Sequence, residues 1–272
     1  MKQITTGDDY YHASYVQIGE NVNFICAQGP LPNTIENFWC MVIQEDSKAS
    51  KTDTDMIIIH ISVRLKWLLQ VIIQLCQWIE EGKNQCAEYF PNGDWEWKNY
   101  GAIRVKIVEK TSPVTQLRKV YRTKIQAIYK DKKHEVLHLL YGGWPDHFVA
   151  ESAPVCREVR TLALKFSEKK PIIVHCSAGI GRTGTFAAIF MAVDRLKHNE
   201  NLSIPDIVKE LRDQRMHAVQ NDQQYLFIYR MVIDILLAED LLIKSPEIIS
   251  LIKEYDDLIA RKRQERNQKG KK

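Results

Sequence analysis

The chain has 272 residues, 45% hydrophobic and 26% charged, enough to bury one sizeable core, and no glycine- or proline-rich linker divides it. Its formal net charge of +4 is small and gathers partly in "RKRQERNQKGKK" from Arg261, so the domain proper is near neutral, a poor footprint for nucleic acid. Six cysteines are scattered without CxxC or Cys/His metal spacing, and "MKQITTGDDYYHASY" has no apolar signal segment, so reduced thiols in a cytoplasmic setting are expected.

In chain order, residues 23–27 read as a strand and 35–44 as a helix. The apolar run 57–79, "IIIHISVRLKWLLQVIIQLCQWI", is long enough to suggest a membrane span. Arg64 and Lys66 lie inside it, however, and each central charge costs about 2.5 to 3.5 kcal/mol on insertion. No transmembrane segment is therefore expected. Ile57, Ile59, Ile61, Val63, Leu65, Trp67 and Leu69 alternate with a wetter face carrying His60, Ser62, Arg64 and Lys66, the pattern of a half-buried surface strand, before a buried strand at 71–75. Further strands are predicted at 102–109, 118–129, 135–141 and 172–175, and helices at 153–167, 185–198, 204–215 and 223–238. Strands dominate the first half and helices the second. This predicts a single α/β domain, a highly twisted mixed sheet flanked by helices.

The stretch "PIIVHCSAGIGRTGTF" (171–186) joins a β-branched strand to a helix through a loop with two glycines. Such a turn directs backbone N–H groups and the positive end of a helix into one small space, which is an anion site. Cys176 stands at its rim. A helix N-terminus, loop amides and the fixed charge of Arg182 all favour a thiolate there, and the planar Arg182 fork can hold two phosphate oxygens at once. Gly179 and Gly181 allow the backbone to turn its N–H groups inward.

"VHCSAGIGRTGTF" resembles the HCX5R phosphate loop of the tyrosine-specific protein tyrosine phosphatases. The similarity continues in "YYHASYV" (10–16), "FICAQGPLPNTIENFWCMV" (24–42), the acid loop "WPDH" (144–147) and the glutamine loop "VQNDQQYLFIY" (219–229). The resemblance implies a catalytic domain over 1–240, followed by a C-terminal helix and basic tail over 241–272. It also implies roles. Cys176 attacks phosphorus to give a phosphocysteine; Arg182 and the amides of Ser177, Ala178, Gly179, Ile180, Gly181 and Arg182 hold the equatorial oxygens. Asp146 protonates the leaving oxygen and then activates water, which Gln220 positions with Gln224. His175 tunes the thiolate and the Thr183 hydroxyl eases its departure. No metal or other cofactor is implied, and the implied partners are phosphotyrosine-containing proteins met by a monomer.

The chain departs from the family pattern in places. The KNRY-like recognition segment that precedes "YYHASYV" in the family would lie upstream of residue 1. Residues 47–70 look like an insertion. Phe148, Ala150 and Cys40 stand where glycine, proline and arginine are usual, and Phe148 is expected to slow loop closure. Two functional classes follow: an active tyrosine phosphatase, or a phosphotyrosine-binding, substrate-trapping module that turns over poorly. A dual-specificity phosphatase fits less well, because those enzymes lack the "QGPL" and glutamine-loop blocks. "EYFPNGDWEW" and "GGWPDHF" resemble the phosphatases carried by polydnaviruses of parasitoid wasps, which implies action inside a host insect cell.

Overall fold

Ile172, Ile173 and Val174 are fully buried, and a strand buried on both faces belongs in the middle of a sheet. In the computed structural model, which describes residues 10–20, 22–52, 69–93, 95–111, 117, 119–167, 170–198 and 201–269, the strand β10 (Ile172–His175) takes that place. It runs parallel to β2 (Asn23–Ala27) on one side and β3 (Gln70–Gln74) on the other. β3 pairs in parallel with β9 (Lys132–Tyr141). The rest of the mixed eight-stranded sheet is antiparallel: β1 (Ala13–Gln17) on the β2 edge, and β8 (Val120–Tyr129), β7 (Ile103–Thr111) and β6 (Lys98–Tyr100) beyond β9. A separate small hairpin joins β4 (Ile79–Glu80) to β5 (Lys83–Asn84).

Among the described residues, six helices accompany the sheet. α1 (Ile35–Thr52) is tied to it by a buried ion cluster, in which Asp46 receives His134 Nδ1 of β9 at 2.7 Å and Lys170 Nζ at 2.6 Å. α2 (Ala153–Ser167) packs on β3 and β9, and α3 (Arg182–Lys197) on β2 and β10. From Arg182 to Val193 every residue of α3 is buried, which is why it shows no amphipathic stripe. α4 (Ile204–Gln214) starts at Ser203, whose hydroxyl accepts from the Asp206 N–H. α5 (Asp222–Ala238) lies beside α3 and α2, and α6 (Pro246–Lys269) lies on α5.

Six of the seven predicted strands and the helices predicted at 35–44, 153–167, 185–198, 204–215 and 223–238 occur, with instructive shifts. α3 begins at Arg182 rather than 185, because Gly184 N and Thr185 N already bond to the carbonyls of Ile180 and Gly181. Gly184, which reads as loop in the sequence, is helical: an added Cβ would meet Val219 N at 2.8 Å, so the glycine serves close packing. α1 runs on to Thr52, into the predicted insertion at 47–70. Leu69 and Gln70, counted with that insertion on sequence grounds, are buried, and the Gln70 amide donates to the Pro171 carbonyl at the start of the central strands. The alternating stretch 57–68 lies outside the described residues. Most of the basic C-terminal run belongs to α6. β1, β4, β5 and β6 were not predicted. They are short, mostly polar, edge or hairpin strands with little hydrophobic signal.

Candidate active site

β10 ends at His175, and the chain turns through residues 176–181 before α3 begins at Arg182. The carbonyls of this loop are all engaged on its outside. Ser177 O accepts from Gly29 N (2.9 Å), Gly179 O from Arg215 Nε (3.1 Å), Ala178 O from Arg215 Nη2 (3.4 Å), and Ile180 O from Val219 N (3.0 Å) and Gly184 N (3.1 Å). In a planar trans peptide the C=O and N–H point opposite ways, so the N–H groups of Ala178, Gly179, Ile180 and Gly181 face inward. There, Gly179 N donates to Cys176 Sγ at 3.3 Å. Gly179 has φ +71°, and a Cβ on it would lie 2.1 Å from the Ala27 carbonyl oxygen. Only glycine fits both demands.

Arg182 leaves the loop almost fully buried. Its Nη1 donates to Glu80 Oε1 (2.7 Å) and to the Trp144 carbonyl (3.0 Å), and its Nη2 to Asp146 Oδ1 (3.0 Å). Its Nε is buried without a partner, as is the Thr183 hydroxyl in the next position. Burial works against the charge of Arg182, but Cys176, Cys76, Glu80 and Asp146 together outweigh it and hold its pKa above the usual arginine value. Arg182 is thereby a permanent cation with one unused N–H.

His175 lies beneath the loop, wholly buried. Its Nδ1 is 3.2 Å from the Cys176 carbonyl and its Nε2 is 2.9 Å from the Tyr89 hydroxyl. A carbonyl can only accept, so hydrogen-bond accounting assigns the proton to Nδ1 and makes Nε2 the acceptor. Burial, with a smaller contribution from Arg182, pushes its pKa down to about 4, so the ring is neutral. The family resemblance implies that His175 tunes the thiolate, and its link to Cys176 runs through the backbone carbonyl. The Tyr89 hydroxyl, whose one proton then goes to His175, also lies 3.2 Å from Gln74 Oε1, the oxygen that His138 Nε2 reaches at 3.0 Å; burial holds His138 at about 3.

Two further loops close on the phosphate loop. The acid loop is locked by Trp144, buried in the core, whose indole N–H donates to the Phe148 carbonyl at 2.9 Å. Asp146, between them, is partly exposed and reaches Arg182. The glutamine loop is held by Arg212, which donates to the carbonyls of Ala218 and Val219, both at 2.9 Å. Asn221 caps α5 by accepting from Gln224 N (2.9 Å), and its amide donates to the His147 carbonyl (3.2 Å). Gln224 is buried and accepts from Gln220 N (3.0 Å). The Gln220 side chain is exposed yet stands at the cradle, since a Cβ on Gly181 would lie 2.2 Å from its Oε1.

All the residues predicted from sequence therefore gather around one loop. Glu80, Tyr89, Arg212, Arg215 and Asn221 were missed. Glu80 is one of 34 acidic residues, and nothing in "WIEEGK" singles it out. Arg212 and Arg215 read as ordinary charges at a helix end, although Arg215 is only 3% exposed. The Asn three residues before Gln224 is the one signal available, an N-cap pattern.

The family profile described as protein-tyrosine phosphatase matches residues 1–50 and 65–234, leaving out 51–64 within the predicted insertion. The chain is 34% identical over 228 residues to human tyrosine-protein phosphatase non-receptor type 7, covering 81% of this chain and 55% of that protein. It is 32% identical to receptor-type tyrosine-protein phosphatase eta of Gallus gallus and 31% identical to tyrosine-protein phosphatase 69D of Drosophila melanogaster, aligning with 15% and 14% of their lengths. The chain thus spans about half of the first of these relatives and a small part of the others. A solved structure of PTPN18 in complex with HER2 phosphopeptides shares the fold, with a TM-score of 0.70 at 24% identity, covering 85% of this chain and 78% of that one. The chain belongs to the protein-tyrosine phosphatase family.

Proposed function

We propose that the protein hydrolyses phosphotyrosine in other proteins through a phosphocysteine on Cys176. The observation that carries this reading is the set of donors that the loop turns toward Cys176. Four loop carbonyls are held outside, so the N–H groups that follow them turn inward, where Gly179 N meets the Cys176 sulfur, and the buried Arg182 Nε has no protein partner. That arrangement suits a tetrahedral dianion whose charge spreads over equatorial oxygens in the transition state.

In the first step the Cys176 thiolate attacks phosphorus and forms an S–P bond. The P–O bond to tyrosine breaks, and Asp146 donates its proton to the departing oxygen. Arg182 already bonds Asp146 and the Trp144 carbonyl, so one guanidinium ties the phosphate site to the acid loop. In the second step Gln220 and Gln224 position a water, Asp146 takes its proton, the water oxygen bonds to phosphorus, and the S–P bond breaks to release phosphate and the thiolate. The buried Thr183 hydroxyl donates to the leaving thiolate. His175, neutral and bonded to the Cys176 carbonyl, fixes the start of the loop.

The complete set of catalytic side chains favours turnover over a substrate-trapping module. The resemblance to polydnavirus phosphatases supports action on phosphoproteins inside a host insect cell. The test compares the purified protein with Cys176→Ser on phosphotyrosine and phosphoserine peptides. The wild type is expected to release phosphate from phosphotyrosine only, and the variant to bind phosphotyrosine peptide without turnover. Wild-type-like activity in Cys176→Ser would remove the thiol from the mechanism.

A further inference from the structure

The C-terminal helix reaches the acid loop. Arg266, in the last turns of α6, donates through Nη1 to the backbone carbonyl of Asp146 and through Nη2 to Glu81 Oε1 at 2.8 Å. The guanidinium groups of Arg263 and Arg266 each stand 5.9 Å from the centre of the Phe148 ring, within cation–π range. Phe148 is itself buried, its carbonyl held by the Trp144 indole. Glu81 follows Glu80, the carboxylate that receives Arg182. Two arginines therefore join the same two segments, Arg182 from inside the site and Arg266 from outside it. α6 is in turn anchored, with Ile259 buried in the core and Arg230 of α5 3.6 Å from Asp256.

We infer that Arg266 is a positioning residue for the reaction, holding the acid loop so that Asp146 points at the leaving-group oxygen, with Phe148 as the surface that the helix grips. The inference rests on Asp146 being the general acid. A backbone carbonyl fixed by a guanidinium limits the swing of the residue that owns it. His147, the next residue, has φ +51°, a conformation the loop keeps only while its neighbours restrain it. Phe148, expected from the sequence to slow closure, supplies the contact for the arginines. Arg266 touches no reacting atom, so its loss should show in kcat for a basic leaving group rather than in substrate binding.

The experiment uses the full chain with Arg266→Ala, Arg266→Lys and Asp146→Ala, and the double variant Arg266→Ala/Asp146→Ala. Phosphotyrosine peptide and an aryl phosphate with an acidic phenol serve as substrates. Arg266→Ala is expected to lower kcat on the peptide about tenfold with KM nearly constant, and to change kcat on the activated ester less than about twofold. Arg266→Lys, which keeps a donor for the Asp146 carbonyl, should recover most of that loss, and melting temperatures should match the wild type. In the Asp146→Ala background the second substitution should add nothing, because the group being positioned is gone. Equal losses on both substrates, no loss on the peptide, or a full further loss in the double variant would overturn the inference. If Asp146→Ala shows leaving-group dependence while Arg266→Ala does not, only the positioning role fails. If Asp146→Ala itself lacks that dependence, the acid assignment fails and takes the inference with it.

Discussion

At the residue scale, Asp146 is the side chain whose role geometry alone leaves most open, since a carboxylate bonded to an arginine is a common surface arrangement. Its place is distinctive because that arginine is the buried Arg182 of the phosphate loop. Asp146→Ala is expected to slow hydrolysis of phosphotyrosine about 10²- to 10⁴-fold and of an activated aryl phosphate far less, as help from an acid scales with leaving-group basicity. Steady-state kinetics on the two substrates give the answer, and equal losses would exclude the role. The chemistry-bearing residues were legible because their spacing is local: Cys176, Gly179, Gly181 and Arg182 fall within one turn. Their restraints were not. Arg215 holds the loop carbonyls from a helix end 36 residues further along the chain, and no local pattern reports such a contact.

At the scale of elements, the glutamine loop depends on one helix cap. Asn221 satisfies the Gln224 N–H at the start of α5, and its amide bridges to the acid loop at His147. Asn221→Ala is expected to cost about 1 kcal/mol of stability, read from a urea midpoint. It should also slow the second chemical step more than the first, because Gln220 and Gln224 lose their frame. An unchanged burst with an unchanged steady state would show the cap to be structural only. The long elements were predictable because their periodicity is strong, as in α2, whose bounds coincide with the prediction at Ala153–Ser167. The start of α3 was not, because its first turn carries Gly184 for packing against Val219 and so reads as loop.

At the scale of the whole molecule, two buried histidines couple folding to pH. His175 and His138, held by burial at about 4 and about 3, stay neutral in the folded protein, and unfolding lets each take up a proton below its ordinary value of 6.5. Their contribution is complete above about pH 6.5 and is lost as pH falls toward 4. At pH 5 each should cost about 2 kcal/mol. Urea unfolding from pH 7 to pH 5 should show this fall, and His138→Gln should roughly halve it; a midpoint independent of pH would contradict it. The insertion is a separate question. Deleting residues 53–64 is expected to leave peptide hydrolysis and melting temperature nearly unchanged, and the loss of both would place that segment in the core.

The central claim is the covalent intermediate on Cys176, and trapping it is the most direct test. Gln220→Ala should slow water attack on the phosphoenzyme, so that rapid acid quenching after mixing with radiolabelled phosphotyrosine peptide leaves label on the peptide containing Cys176. That label is expected to appear within the first turnover and to be absent in Cys176→Ser. Release of phosphate at the wild-type rate with no label on Cys176 would contradict it.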